Sequence, residues 1–142
     1  MLVTLRLENQ LCHRFYLLSN AFTRAYRPLL EELDITYPQY VVMMALWEKD
    51  DITVATLLDK TGIDGGAMSL MLKKLVQKDY VAIHKDKKDA RVKVIKLTTK
   101  GKNAKQAAID IPAQMMCKLD GFSEDEAKQL RDLMDKLHLC FD

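Results

Sequence analysis

Residues 53–105 leave few folds open to the rest of the chain. They read as helix, turn, helix, and then a two-stranded hairpin whose tip is loaded with lysine. In TVATLLDKT (53–61), Thr53 is placed to cap a helix, Val54, Leu57 and Leu58 recur on one face, and Gly62 can end it in a left-handed turn. DGGAMSLMLKKLVQKD (64–79) predicts a second helix, with Met68, Met71, Leu72 and Leu75 inward and Lys73, Lys74 and Lys78 outward. Two helices joined by a short glycine-containing turn form a helix-turn-helix. YVAIH and VKVIKLT are rich in β-branched residues and bracket the polar run 85–91, which predicts a hairpin with a long exposed tip, a wing.

Charge says what this shape is for. Between Lys73 and Lys105 there are 12 Lys or Arg against 3 Asp, whereas residues 1–50 carry 5 basic and 6 acidic side chains. The whole-chain charge of +2 hides this asymmetry. A lysine run alone is ordinarily a solvated face. Placed on a helix-turn-helix and its hairpin, it is the electrostatic footprint of duplex DNA binding, because each cation near a phosphate releases condensed counterions.

The 142 residues suit about one domain, and 49% hydrophobic with 30% charged side chains fits a soluble globular protein. No apolar run approaches the roughly 20 residues that cross a bilayer, and MLVTLRLENQ lacks the apolar centre of a signal peptide, so a cytoplasmic protein without membrane partners is expected. In a reducing cytosol Cys12, Cys117 and Cys140 are poor candidates for permanent bridges, and any disulfide among them would be transient and redox-linked.

Outside the hairpin the chain reads as helical. Residues 5–27 predict one long helix from Leu11, Phe15, Leu18, Phe22 and Ala25, disturbed or ended by Pro28. Cys12, Tyr16, Ser19 and Thr23 share a second face, which puts Tyr16 one turn from Cys12. Residues 36–47 open with the capping pair Thr36 and Gln39 and continue as YVVMMALW, apolar nearly all round and therefore buried. A helix from 99 to about 118 carries Ala104, Ala107, Ala108 and Ile111 and is kinked or broken by Pro112. Ser123 and Glu126 cap a last helix whose apolar positions are Ala127, Leu130, Leu133, Met134, Leu137 and Phe141. The expected fold is mainly α with a small β-hairpin wing. Residues 36–98 form a winged helix-turn-helix, and 1–35 with 99–142 form a helical dimerisation region, in one domain of 1–142. A homodimer sets two recognition helices about one DNA turn apart, roughly 34–36 Å, for a palindromic operator.

This order of elements resembles the MarR family of winged-helix repressors over nearly the whole chain. Within it, NQLCHRFY (9–16), AYRPLL (25–30), LDITYPQYVVMMALWE (33–48) and DARVKVIKLTTKG (89–101) resemble the OhrR-type sensors of organic hydroperoxides. The resemblance implies a dimeric repressor in which a hydroperoxide oxidises one N-terminal cysteine to a sulfenic acid and DNA is released. Cys12 stands at that position, and Tyr16, Tyr26 and Tyr37 match the tyrosines gathered around the sulfur. Tyr26 lies 14 residues past Cys12, about 21 Å along a continuous helix, so it can meet only the partner subunit's Cys12. Hydrogen bonds from Tyr16 and the partner's Tyr26 would favour a thiolate, with Asn9 or His13 assisting if packing brings them near. In the two-cysteine branch a second, late cysteine closes an intersubunit disulfide. Cys117, in MMCKLDG, matches it; the other reading of Cys117 is a small buried core residue, and packing is the expected role of Cys140.

Gly65, Gly66, Ala67, Ser69 and Lys73 are expected nearest the major groove, with Lys74 on phosphate. Here the chain departs from the OhrR pattern, which usually has Ser or Thr where Gly65 and Ala67 stand. Asp89 and Arg91 match the family's Asp-x-Arg wing pair, whose arginine reaches DNA, often in the minor groove; Lys87 and Lys88 supply phosphate contacts. No cofactor or metal is called for. Three other readings compete with this one: a thiol peroxidase, to which a winged helix lends no purpose; a metal module of Cys12, His13, Cys117, His138 and Cys140, whose spacing is too scattered; and a MarR repressor released by a phenolic ligand, which the fold and wing fit equally well.

Overall fold

The computed structural model describes residues 2–141, with side chains from residue 4 onward. The chain divides into two compact units at the bond between Ile111 and Pro112. In the first, two 3-10 turns (Leu2–Leu5 and Leu7–Asn9) precede α1 (Leu11–Leu30), α2 (Tyr37–Glu48), β1 (Ile52–Thr53), α3 (Val54–Thr61), α4 (Gly65–Gln77), β2 (Val81–Lys85), β3 (Lys93–Leu97) and α5 (Thr99–Ala108). Into the second run α6 (Ile111–Lys118), α7 (Glu124–His138) and a 3-10 turn at Leu139–Phe141.

α2 is the centre of the first unit. Its run of apolar side chains buries Tyr40, Val42, Met43, Ala45 and Leu46, and it packs against α1, α3, α4 and α5. Around it close Leu30 of α1, Leu57 of α3, Met68, Leu72 and Leu75 of α4, and Val81, Ile95 and Leu97 of the sheet. Gln39 is the buried polar exception, and both its ends are used. Its amide oxygen accepts from the Thr36 backbone at 3.0 Å while its own N–H donates to Thr36 Oγ1, the reciprocal cap that the sequence predicted.

α3 and α4 form as expected. Thr53 Oγ1 accepts from Thr56 N, Gly62 ends α3 at φ +69°, and Asp64 Oδ1 accepts from Ala67 N at 2.9 Å. β2 and β3 pair antiparallel from Val81↔Leu97 to Lys85↔Lys93. The expected two-stranded hairpin is part of a three-stranded sheet, because Ile52 and Thr53 pair with Ile95 and Val94 on the other edge of β3. A strand of two residues has no alternation for a sequence pattern to reveal.

Three expectations need correction. α1 begins at Leu11, since Gln10 is extended (φ −96°, ψ 114°) and Arg14 reaches back to the carbonyl oxygens of Gln10 and Glu8, which fixes the preceding chain as turns. Nor does Pro28 end α1, which runs on to Leu30 because burial of Leu30 and the packing of Leu29 anchor its last turn. Lys78, expected outward, is half-buried: its ammonium donates to the Asp34 carbonyl and lies 3.9 Å from the exposed Asp34 carboxylate.

The helical break expected near Pro112 falls at residues 109–110, at the end of the first unit, and Pro112 occupies the first turn of α6, where a missing N–H costs little. The Ser123–Glu126 capping box forms at 3.0 and 3.1 Å, and hydrogen bonds from Ser123, its backbone N–H first and its hydroxyl second, hold the Glu126 carboxyl below the ordinary carboxylate range. Leu130, Leu133, Met134 and Phe141 of the predicted stripe are exposed. Among the described residues no helix is long and apolar enough to cross a membrane.

Candidate DNA-binding face and thiol sensor

The outward face of α4 carries little chemistry at its leading end. Gly65 and Gly66 are exposed, and a Cβ would meet nothing at Gly65 and only Asp64 Oδ1, at 3.4 Å, at Gly66. The fold therefore does not require these glycines. Ala67 is half-buried, and Ser69, Lys73 and Lys74 are exposed on the side away from the core. Leu70 stands among them and is 65% exposed, a feature that the sequence reading passed over.

The wing tip is built by Asp86, also missed. Its carboxylate accepts from the backbone N–H of Lys88 and Asp89 at 3.2 and 3.1 Å, while Asp86 N donates to Val92 O at 2.8 Å. The detectable signal was an aspartate two and three residues ahead of the groups it satisfies. Asp89 then grips Arg91: Nε donates to Oδ1 at 3.2 Å, a terminal guanidinium N–H to Oδ2 at 3.3 Å, and the Arg91 backbone N–H to Oδ1 at 3.0 Å. These bonds hold the Asp89 carboxyl below its ordinary range. The Arg91 side chain is otherwise 91% exposed, a cation presented in one orientation. Lys87 and Lys88 are exposed beside it, and with Lys85, Lys96 and His84 they line a groove of about 790 Å³ against the wing.

Cys12 is exposed near the start of α1, and within the described chain no hydrogen-bond donor reaches its sulfur. Tyr16 is also exposed, one turn away, but its ring stacks on His13 with centroids 6.4 Å apart. Tyr26 and Tyr37 pack against each other, centroids 4.5 Å apart, with Tyr40 at 5.9 Å from Tyr26. Burial first, then neighbouring Tyr37 and Tyr40, pushes the Tyr26 phenol above the ordinary value of 10.0. α1 is unbroken between Cys12 and Tyr26, so the phenol pair stands about 21 Å from its own chain's thiol along the helix. Tyr40 is a third member of the cluster that the sequence reading had assigned to the core alone.

Cys117 and Cys140 are both exposed. That removes the buried-core reading of Cys117 and corrects the packing role expected for Cys140, whose sulfur donates to the Lys136 carbonyl at 3.9 Å. Among the described residues no three metal-ligating side chains gather.

A tight junction joins the turn after α1 to the end of α4 and the start of β2. Tyr80, just after α4, donates its buried hydroxyl to Leu33 O, and Lys78 grips Asp34 in the same turn. On the other side Thr98 N donates to Tyr80 O at 3.0 Å, and Trp47 Nε1 of α2 donates to Gly101 O at 2.9 Å. Gly101 has no alternative here, because a Cβ would lie 2.1 Å from Tyr80 O.

Comparison with known proteins agrees with this architecture. The family described as transcriptional regulator SarA/Rot matches residues 24–108, more than half of the chain. The organic hydroperoxide resistance transcriptional regulator of Bacillus subtilis (strain 168) is 35% identical over 134 residues, 94% of this chain and 88% of that protein. The structure of reduced AbfR bound to DNA, a Staphylococcus epidermidis protein, superposes with a TM-score of 0.84 at 26% identity, covering 98% of this chain and 97% of the other. The Staphylococcus aureus MepR–DNA complex gives 0.84 at 25% identity, over 94% of this chain and 99% of MepR. This chain belongs to the SarA/Rot family of MarR-like winged-helix regulators, and it is a DNA-binding transcriptional regulator.

Proposed function

We propose that the protein is a homodimeric repressor, acting in the cytoplasm, that holds palindromic operator DNA while Cys12 is reduced and lets go when an organic hydroperoxide oxidises it. The observation that carries this reading is the separation of parts along α1. A packed pair of phenols, Tyr26 and Tyr37, and an accessible thiol lie too far apart to serve each other in one chain. A twofold axis brings each pair to the other chain's sulfur. The exposed apolar side chains Leu11, Leu18 and Phe22 of α1 supply a surface that a second copy covers, and Leu133 and Met134 of α7 leave the second unit an exposed apolar stripe of its own. The likeness to a hydroperoxide resistance regulator supports the same trigger.

In the reaction the Cys12 thiolate attacks the terminal peroxide oxygen, the O–O bond breaks, an alcohol leaves with a proton from solvent, and the sulfur becomes a sulfenic acid. Tyr26 remains protonated at neutral pH, so its hydroxyl donates to the thiolate and favours it. Cys117 of the partner subunit then displaces hydroxide from the sulfenic sulfur, which forms a disulfide and water. Both steps change what the phenols hold, and the dimer core repacks. On the DNA side, Gly65, Gly66, Ala67, Ser69 and Lys73 face the major groove, Lys74, Lys87 and Lys88 meet phosphate, and Arg91, aimed by Asp89, enters the minor groove.

A mobility-shift assay tests the trigger. The wild-type protein is expected to release operator DNA after cumene hydroperoxide, and Cys12→Ser to bind equally well before and after. A Cys12→Ser protein that still lets go on oxidation would contradict the proposal.

A further inference from the structure

We infer that Leu70 reads DNA sequence through the C5-methyl group of thymine, so that each operator half-site contains a thymine selected by apolar contact. The inference rests on the DNA-binding reading of α4 and adds a residue that it did not include. A lone surface leucine is ordinary; the position of this one is not. Leu70 is two residues from each of Met68 and Leu72, which places it about 160° around the helix from those buried side chains. It is 65% exposed, while Met68 and Leu72 are 0% and 3% exposed. Gly66 and Lys74 lie one turn before and after it, and Ser69 and Lys73 flank it on the same exposed face. Leucine is therefore at the centre of the surface whose lysines meet phosphate, and it contributes nothing to the core.

In the major groove thymine alone among the four bases presents an apolar group, its methyl. Leucine cannot hydrogen-bond, so against any other base edge it would strip water from a donor or acceptor and return nothing. The bare backbone at Gly65 and Gly66 allows the helix end to lie close to the base edges, which brings a side chain one turn further along within reach. The same absence of side chains removes competing hydrogen-bond donors at the leading end.

The test uses the full-length reduced protein and a pool of random duplex DNA. Bound sequences selected by the wild type are expected to contain a fixed thymine in each half-site. Replacing that thymine with uracil, which deletes only the methyl, should weaken wild-type binding about fourfold per half-site, the value of one methyl group removed from water. Leu70→Ala, whose circular dichroism should match the wild type, is expected to bind the thymine and uracil duplexes equally and to keep its salt dependence. Lys74→Ala should instead weaken every duplex alike and lower the salt slope by about 1. A Leu70→Ala protein that still prefers thymine over uracil as strongly as wild type, or selected sites without a fixed thymine, overturns the inference while leaving DNA binding intact. Failure of the wild type to bind any duplex would overturn the reading of α4 itself.

Discussion

Arg91 and Asp89 show how one short pair prepares a side chain for a partner. A free arginine at a loop tip loses rotamer freedom on binding, whereas here two guanidinium bonds to one carboxylate have already fixed it. Arg91→Ala is expected to weaken operator binding by about 1–3 kcal/mol, roughly fivefold to 150-fold. Fluorescence anisotropy at moderate salt measures this, and unchanged affinity would contradict it. The phenols give a second residue-scale prediction. Burial first, then nearby Tyr37, pushes Tyr40 above 10.0, as burial and its neighbours do for Tyr26, and burial followed by Asp34 does so for Tyr80. A folded value raised above the unfolded one favours the native state fully below pH 10.0, and that contribution is lost as pH rises through the folded values. Stability should therefore fall from pH 10 upward, together with late phenolate absorbance from these three tyrosines. Tyr26→Phe with Tyr40→Phe should flatten the fall; an unchanged alkaline transition in that double variant would argue against the buried cluster.

Glycine has opposite meanings in two helices of this fold. A Cβ on Gly101 must push the Tyr80 backbone away, so Gly101→Ala is expected to cost about 1–3 kcal/mol. At Gly65 a Cβ meets nothing, and Gly65→Ala is expected to stabilise by about 0.4–1 kcal/mol through the unfolded chain. Urea unfolding of both variants measures the two signs, and a Gly101→Ala protein as stable as wild type would contradict the close approach. Sequence could not tell these glycines apart, since the difference lies in what another segment places beside each. The elements with local signals were legible: the caps at Thr36, Thr53, Asp64 and Ser123, the turn at Gly62, and the 3.6-residue spacing of α3 and α4. Those that depend on distant partners were not. β1 exists because β3 offers it an edge, α1 passes Pro28 because Leu30 has a core to enter, and Lys78 is half-covered because it lies against the turn at Asp34. Leu70 belongs to neither group: the helical spacing of Met68 and Leu72 already turns it away from the core, and the sequence reading left it unassigned.

At the scale of the whole molecule, the proposal requires a switch that needs two copies. The thiol and the phenols that would hold it sit at opposite ends of α1, and the turn beyond the phenols is tied through Tyr80 and Lys78 to the end of the recognition helix. A change in how two chains meet around Cys12 thus has a route of packed contacts to α4 and the wing. All three cysteines are exposed, so composition does not decide which of them resolves the sulfenic acid. With Cys117 in that role, organic hydroperoxide should yield a covalent dimer on non-reducing electrophoresis that Cys117→Ser abolishes and Cys140→Ser leaves intact. A covalent dimer that survives Cys117→Ser would reassign the resolving thiol.

The most direct measurement joins chemistry and binding on one sample: cysteine-resolved mass spectrometry and operator affinity of the full chain, titrated with cumene hydroperoxide. The fraction of DNA released is expected to rise in step with the fraction of Cys12 oxidised, and to be restored by a thiol reductant. Release that runs ahead of Cys12 oxidation, or full oxidation of Cys12 with the operator still bound, would contradict the account.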